Sequence, residues 1–242
     1  MNKVCVIIPA LNPARELIDY IYDLLDRNVS QVVVVNDGSI SSCIPVFHQI
    51  ARIQNCTVLT HEQNKGKGRA LKTAFEYVMN HCNVHGVITA DADGQHSVQD
   101  VVKIAKKLMD HQDSILLGVR DFGQNNVPAR SYIGNKITSF LFKSLFKIDL
   151  QDTQSGLRGI PINLLPSLLT LEGERYEYEM NMLIVAAKRN IPIKQIPIQT
   201  IYINKNESSY YQPIRDSLKI FSMIVSRSIA YKRLNEGEKH GI

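Results

Sequence analysis

The sequence predicts an α/β fold: an open, mostly parallel sheet with helices on both faces. Two observations carry that prediction. Short apolar runs alternate five times with helical stretches over the first half of the chain, the pattern of a doubly wound sheet. The runs give way to turn-forming clusters rich in Gly, Pro, Asn or Asp, which set sharp strand boundaries. With 242 residues, 44% of them hydrophobic, the chain can bury one sizeable core and a small appended subdomain.

Val4 to Ile8 is a continuous apolar run, as expected for a central strand buried on both faces. Pro9 to Pro13 stops it and opens a helix to about Asn28, with Asn12 as N-cap and Pro13 at the first position. Leu17, Ile21, Leu24 and Leu25 keep helical spacing. The first turn lacks Gly-x-Gly-x-x-Gly, which disfavours a nicotinamide enzyme. Val32 to Val35 is the second strand, followed by Asn36-Asp37-Gly38-Ser39. Asp37 reads either as part of a favoured Asp-Gly turn or as an acceptor for a nucleotide's base or ribose. A helix over Pro45 to Gln54 and a strand over Cys56 to Thr60 repeat the pattern.

Asn64-Lys65-Gly66-Lys67-Gly68-Arg69-Ala70 opens a helix to about Met79. It lacks the Gly-Lys-Ser/Thr ending of a Walker loop. Its glycines and cations read either as a solvated turn or as a pyrophosphate cradle at a helix N-terminus.

The apolar run Gly86 to Ala90 ends in Asp91-Ala92-Asp93-Gly94-Gln95-His96. Carboxylates at a strand's C-terminal mouth lie where open α/β sheets bind ligands. Hard oxygen donors there suit Mg²⁺ or Mn²⁺ carrying substrate phosphates. An EF-hand is excluded: counting from Asp91, Gly falls fourth instead of sixth, and Val102 stands where Glu belongs. A haloacid-type phosphatase shares Asp-x-Asp-Gly but usually continues with Thr, where this chain has Gln95. Alone, the stretch reads equally well as an acidic turn capping a helix over about Val98 to Met109. A strand over Ser114 to Gly118 follows. Right-handed crossovers place the strands' C-terminal loops on one edge, so Asn12, Asp37, Lys65, Lys67, Asp91 and Asp93 share one cleft.

Beyond Gly118 the alternation stops. Val119 to Arg130 is a polar loop long enough to carry function. Arg120 and Arg130 read as grips for an anion at the cleft mouth or as solvated arginines. A helix over Ser131 to Phe146 carries Phe140, Phe142 and Phe146 beside Lys136, Lys143 and Lys147; it is buried, or one side meets lipid. Asp152 and Arg158 read as a structural ion pair. Glu174 to Glu179 begins a helix with Met180, Leu183, Ile184 and Ala187 as its apolar face, and Ile193 to Ile203 forms two short strand-like pieces around Pro197. After a loop over Asn204 to Gln212, the last helix spans about Pro213 to Leu234 and carries Arg215, Lys219, Arg227, Lys232 and Arg233 against Asp216 alone. Such a basic amphipathic helix reads as a membrane-surface element or as packing on the domain.

The net charge of +5 is spread along the chain. It is compatible with anionic substrates or a membrane surface and too diffuse to imply nucleic acid. Cys5, Cys43, Cys56 and Cys82 form no Cys-x-x-Cys pair, so neither a zinc site nor a disulfide framework is expected, and a reducing cytosol is the natural setting. Met1-Asn2-Lys3 runs straight into a strand, and no run of about 18 apolar residues occurs. A soluble or peripheral protein without a signal peptide is expected.

Five ordered motifs resemble family-2 inverting glycosyltransferases of GT-A fold: Pro9-Ala10-Leu11-Asn12, Asn36-Asp37-Gly38-Ser39, Asn64 to Gly68, Asp91 to His96, and Asp152-Thr153-Gln154-Ser155-Gly156-Leu157-Arg158. Their order and spacing are most similar to the dolichyl- and polyprenyl-phosphate glycosyltransferase branch. The resemblance runs from about residue 3 to 220. It implies a Rossmann-like GT-A domain over 1–205, with a nucleotide-sugar half to about 118 and an acceptor half over 119–205. A C-terminal loop and amphipathic helix occupy 206–242. The implied reaction moves a sugar from a nucleoside-diphosphate sugar, first of all UDP-glucose, to a polyprenyl-phosphate-type lipid at the cytoplasmic membrane face, using Mg²⁺ or Mn²⁺.

By match, Pro9, Asn12, Asp37, Lys65, Lys67 and Asp91 contact the donor, and Asp91, Asp93 and Gln95 hold the metal and diphosphate. Asp93 and Asp152 are the catalytic positions, and Arg120 and Arg130 grip the acceptor phosphate. The chain departs from the pattern at Pro13, where a carboxylate usually follows Asn12, leaving open whether Glu16 replaces it. It departs again at Gly134, where a hydroxyl residue usually follows the second arginine. Three alternatives stay open. A hydroxyl acceptor in cell-envelope polysaccharide synthesis would need Asp152, Glu177 or Glu179 as base. The others are a metal-dependent phosphatase and an inactive nucleotide-sugar-binding module. A homo-oligomer or a separate membrane-protein partner also stays open.

Overall fold

Alternate residues of the first apolar run point to opposite faces, and both sets are buried. Val4, Val6 and Ile8 join one hydrophobic cluster, Cys5 and Ile7 the other. Each fully buried Ile or Leu contributes about 1.5–3 kcal/mol, which is why such a run takes the centre of the fold. The computed structural model describes residues 2–121 and 129–201. In chain order it contains β1 (Asn2–Ala10), α1 (Glu16–Asp26), β2 (Val29–Asp37), α2 (Ile44–Ile50), β3 (Cys56–His61), α3 (Lys67–His81) and β4 (Gly86–Thr89). There follow α4 (Val98–Asp110), β5 (Ile115–Arg120), α5 (Ala129–Phe146), β6 (Arg158–Pro161), α6 (Leu165–Leu169), α7 (Glu177–Lys188) and β7 (Ile193–Ile198).

The strands form one seven-stranded sheet in the order β3-β2-β1-β4-β6-β5-β7. β1 pairs in parallel with both β2 and β4, so the chain's winding reverses there, the place where such sheets open a crevice. Helices α1, α2 and α4 pack on one face through Leu17, Ile21, Phe47, Ile50, Ile104 and Leu108. Helices α3, α6 and α7 cover the other through Leu71, Phe75, Leu165, Tyr178 and Met182. A third cluster sets Phe142 of α5 and Leu183 of α7 against Leu117 and Val119 of β5. Among the described residues, no helix is long and apolar enough to cross a membrane.

Two local expectations are corrected and one strand is added. Asn12 is not an N-cap and Pro13 does not open a helix, because α1 starts at Glu16. Asn12 instead takes a positive φ of 50° and joins two loops: its N–H donates to Ser39 Oγ, and its Oδ1 accepts from the Ile40 N–H, both at 2.9 Å. The segment ending at Pro161 contains β6, antiparallel to β4 and β5; four residues including Gly159 and Pro161 carry too little pattern to announce a strand. Finally, Ile193 to Ile198 is one strand that includes Pro197. As the sheet's edge it tolerates a residue without an N–H.

Candidate active site

The site forms where the C-terminal ends of β1, β2 and β4 meet the segment before β6 and the starts of α3 and α7. Asp37 organises one side of it. Its Oδ1 accepts from the Lys65 N–H at 2.9 Å and faces His61 Nδ1 at 2.7 Å, while Oδ2 accepts from the Gly66 N–H at 2.8 Å. Asp37 thus anchors the Gly-rich loop with both oxygens; a carboxylate has about four acceptor sites, so capacity for a ligand remains. The amides of Lys65 and Gly66 are engaged in that anchor, and the Arg69 N–H donates to the Glu174 carbonyl. Gly66 has φ +100°, and a Cβ there would meet the Glu174 carbonyl oxygen at 2.3 Å. The loop is therefore pinned by β2 on one side and the segment before α7 on the other. Lys65 is exposed, and Pro9 is half-buried opposite Val35.

That pinning delivers Lys67. Its Nζ lies 2.6 Å from Asp91 Oδ1 and 2.9 Å from Glu179 Oε2. Burial pulls the Lys67 pKa down, but the two carboxylates outweigh it and hold the ammonium charged. Burial likewise pushes Asp91 up, while Lys67 and His96 keep it at about 2. His96 Nδ1 accepts from the Asp91 N–H at 3.0 Å, which places any single ring proton on Nε2. Asp93 differs: burial and the charge of Asp91 push its pKa up to about 6, and its Oδ1 accepts from the Gln95 N–H.

Arg120 reaches Asp152 rather than outward. Nε is 2.7 Å from Oδ2 and Nη2 is 3.1 Å from Oδ1, so the expected Asp152–Arg158 pair does not form. Arg158, fully buried, donates from Nε to the Ser155 carbonyl and from Nη1 to the Glu179 carbonyl. Arg130 stands in the first turn of α5, but its side chain lies outside the described residues. Glu16 is exposed at the start of α1, and the Gly134 carbonyl accepts from Thr138 Oγ1.

Asp91, Asp93 and Gln95 fit a divalent ion by their chemistry. Mg²⁺ characteristically takes one or two carboxylates and completes its shell with phosphates and water. Burial first, and then the neighbouring Asp91 carboxylate, raise the Asp93 pKa. A Cβ on Gly156 would lie 2.5 Å from Asp91 Oδ2, so glycine keeps that oxygen accessible.

Sequence reasoning missed two participants. By sequence Glu179 reads only as a candidate base, whereas it is 6% exposed and holds Lys67. Tyr20 of α1 has a buried hydroxyl with no hydrogen-bond partner among the described residues. Burial, Asp91, Asp93 and Asp100 together raise its pKa. No spacing rule marks it; only the fold brings α1 to the aspartates.

A groove of about 600 Å³ runs beside this centre, lined by Arg120, Asn135, Lys136, Phe140, Lys143 and Gln151 among others. Along the outer side of α5, Ile133, Ile137 and Phe140 are 56%, 51% and 70% exposed, with Lys136 and Lys143 exposed among them.

The strand ends of this sheet thus gather two aspartates and a half-buried lysine. The model of glycosyl transferase family 2 matches residues 5–165, and the chain belongs to that family. It is 30% identical over 220 residues to a UDP-N-acetylglucosamine–dolichyl-phosphate N-acetylglucosaminyltransferase of Methanococcus voltae, covering 82% of this chain and 86% of that one. It is 25% identical to a dolichyl-phosphate beta-glucosyltransferase of Saccharomyces cerevisiae, covering 93% of this chain and 74% of that one. Among solved structures, glucosyl-3-phosphoglycerate synthase of Mycobacterium tuberculosis, in complex with Mn²⁺, UDP and glucosyl-3-phosphoglycerate, superposes with a TM-score of 0.70 at 20% identity. That match covers 93% of this chain and 80% of the other. The fold is GT-A, and the protein is a glycosyltransferase; the phosphatase reading falls.

Proposed function

We propose that the protein transfers a sugar, with inversion, from a nucleoside-diphosphate sugar to a polyprenyl-phosphate-type lipid at the cytoplasmic face of a membrane, using Mg²⁺ or Mn²⁺. The observation that carries this reading is the Asp91–Asp93 pair facing Lys67 at the β4 mouth. Residues to about 118 would hold the donor and those over 119–205 the acceptor. UDP is the first nucleotide to try, since the Mycobacterium tuberculosis enzyme binds it with Mn²⁺ and the Methanococcus voltae relative is named for a UDP-sugar.

Asp91, Asp93 and Gln95 would hold the metal, which supplies positive charge to the leaving diphosphate. Pro9, Asn12, Asp37 and Lys65 are the further donor contacts of this reading, and Lys67 neutralises charge beside Asp91. An acceptor oxygen attacks the anomeric carbon from the face opposite the diphosphate. The carbon–oxygen bond to the diphosphate breaks, and its electron pair leaves with the diphosphate. A lipid phosphate, with a second pKa of about 6, is already anionic and needs no base. Two features support that acceptor over a hydroxyl. Asp152 is fully buried with both oxygens on Arg120, and Oε2 of Glu179 is bound to Lys67. The apolar, lysine-bearing outer side of α5 suits an anionic lipid surface. The basic helix expected over Pro213 to Leu234 would add to it, though it lies outside the described residues.

The test offers a panel of nucleotide sugars with polyprenyl phosphate or polyprenol, with and without Mn²⁺. Formation of a polyprenyl phosphosugar that EDTA abolishes supports the proposal. Transfer to hydroxyl acceptors alone, or an EDTA-insensitive rate, overturns it.

A further inference from the structure

The ammonium of Lys67 occupies the carboxylate to which the metal is assigned, 2.6 Å from Asp91 Oδ1. Its side chain is only 15% exposed, so its charge is little screened. A divalent ion on the same oxygen would meet that positive charge at close range and be repelled by it. The ammonium has a second seat, Glu179 Oε2 at 2.9 Å. The other oxygen of that carboxylate, Oε1, is buried with no hydrogen-bond partner among the described residues. Glu179 is in turn fixed from behind, because its backbone carbonyl accepts from Arg158 Nη1. Lys67 therefore stands between two carboxylates, one assigned to the metal and one not.

We propose that Lys67 is the resident cation of the donor-free site, and that a divalent metal displaces it from Asp91 only in company with a diphosphate. The displaced ammonium stays with Glu179 and meets the incoming diphosphate charge. This rests on Asp91 and Asp93 being metal ligands. Its consequence is that metal and nucleoside diphosphate bind cooperatively, each raising the other's affinity by the same factor. Metal alone binds weakly, and the Asp91 carboxylate is never left without a counter-charge between turnovers.

Loss of the free Mn²⁺ electron paramagnetic resonance signal measures binding directly, with and without saturating UDP, after correction for Mn²⁺–UDP in buffer. For the native protein, UDP should raise Mn²⁺ affinity by roughly tenfold or more. Lys67→Met should bind Mn²⁺ alone roughly tenfold more tightly than the native protein and lose most of the gain from UDP. Lys67→Arg, which keeps a cation, should retain weak binding of metal alone. If Lys67→Met is unfolded by circular dichroism, the double variant Lys67→Met/Glu179→Gln, which removes one charge of each sign, carries the same expectation.

Three results overturn the proposal. If Lys67→Met binds Mn²⁺ alone no better than the native protein, while UDP-coupled binding persists, Lys67 is not the resident cation and the metal ligands stand. If the variant gains equally with and without UDP, the effect is general electrostatics. If none of the proteins binds Mn²⁺ even with UDP, the assignment of Asp91 and Asp93 to a metal fails first.

Discussion

Arg120 and Asp152 close a two-bond ion pair at the end of β5, with Nε 2.7 Å from Oδ2 and Nη2 3.1 Å from Oδ1. The carboxylate is fully buried and the guanidinium only 17% exposed. A residue expected at the acceptor thus also holds the chain segment that leads into β6.

Breaking this pair from either end should have unequal effects. Arg120→Met leaves a buried carboxylate uncompensated and should destabilise the fold by about 3 kcal/mol. Asp152→Asn keeps an acceptor oxygen beside the arginine and should cost less. Urea unfolding midpoints compare the two; an Arg120→Met protein with the native midpoint would show the pair to be energetically idle.

Asp93→Ala should abolish metal-dependent transfer while leaving the melting temperature within a few degrees of native, since the side chain is half-buried and makes one described backbone contact. Radiolabelled transfer and thermal denaturation report the two effects separately. Undiminished turnover with an identified donor would remove Asp93 from the site.

The pKa of Asp93, pushed up to about 6 by burial and by Asp91, lies above the unfolded value of about 3.9. The folded state then binds this proton more tightly, so in EDTA Asp93 contributes stability that grows as pH falls from about 7 towards 4, against the opposite contribution of His96, whose burial lowers its pKa. Asp91, kept at about 2 by Lys67 and His96 against burial, acts in the opposite sense, and only below about pH 4. A metal held by Asp93 as proposed would compete with the proton there, so Mn²⁺-dependent turnover should fall as pH drops through about 6. Melting temperatures of the native and Asp93→Asn proteins across this range test the first trend, which the variant should lose.

Placing Glu at Ile137 and Phe140, exposed on α5, should weaken binding to phosphatidylglycerol vesicles at least several-fold through lost apolar insertion and added like charge. Truncation after Asn206 should weaken it independently if the C-terminal helix also meets lipid. Cosedimentation separates the contributions; native binding by both proteins would detach the enzyme from the bilayer.

Strands buried on both faces were legible because their composition repeats without interruption: Val4 to Ile8 and Val32 to Val35 needed no tertiary knowledge. The gathering of Asp37, Lys67 and Asp91 followed from strand direction alone. What escaped was whatever depends on long-range fit. Asn12 looks like a helix cap by sequence, yet its partners are 27 and 28 residues away. Arg158 pairs by sequence with the nearer Asp152, but the paired cation is Arg120, 32 residues from that carboxylate. Glu179 and Tyr20 enter the site through helix packing, which leaves no local mark.

The position of β6 also bears on how the chain matures. Residue 158 pairs with Thr89 of β4 on one side and Leu117 of β5 on the other. During synthesis β4 and β5 emerge well before the strand that belongs between them. Until residue 161 has cleared the ribosome, both carry open edges, a state that invites wrong pairing. Co-translational folding must therefore wait for residues 158–161, so a nascent glycosyltransferase cannot complete its sheet from its first 120 residues alone.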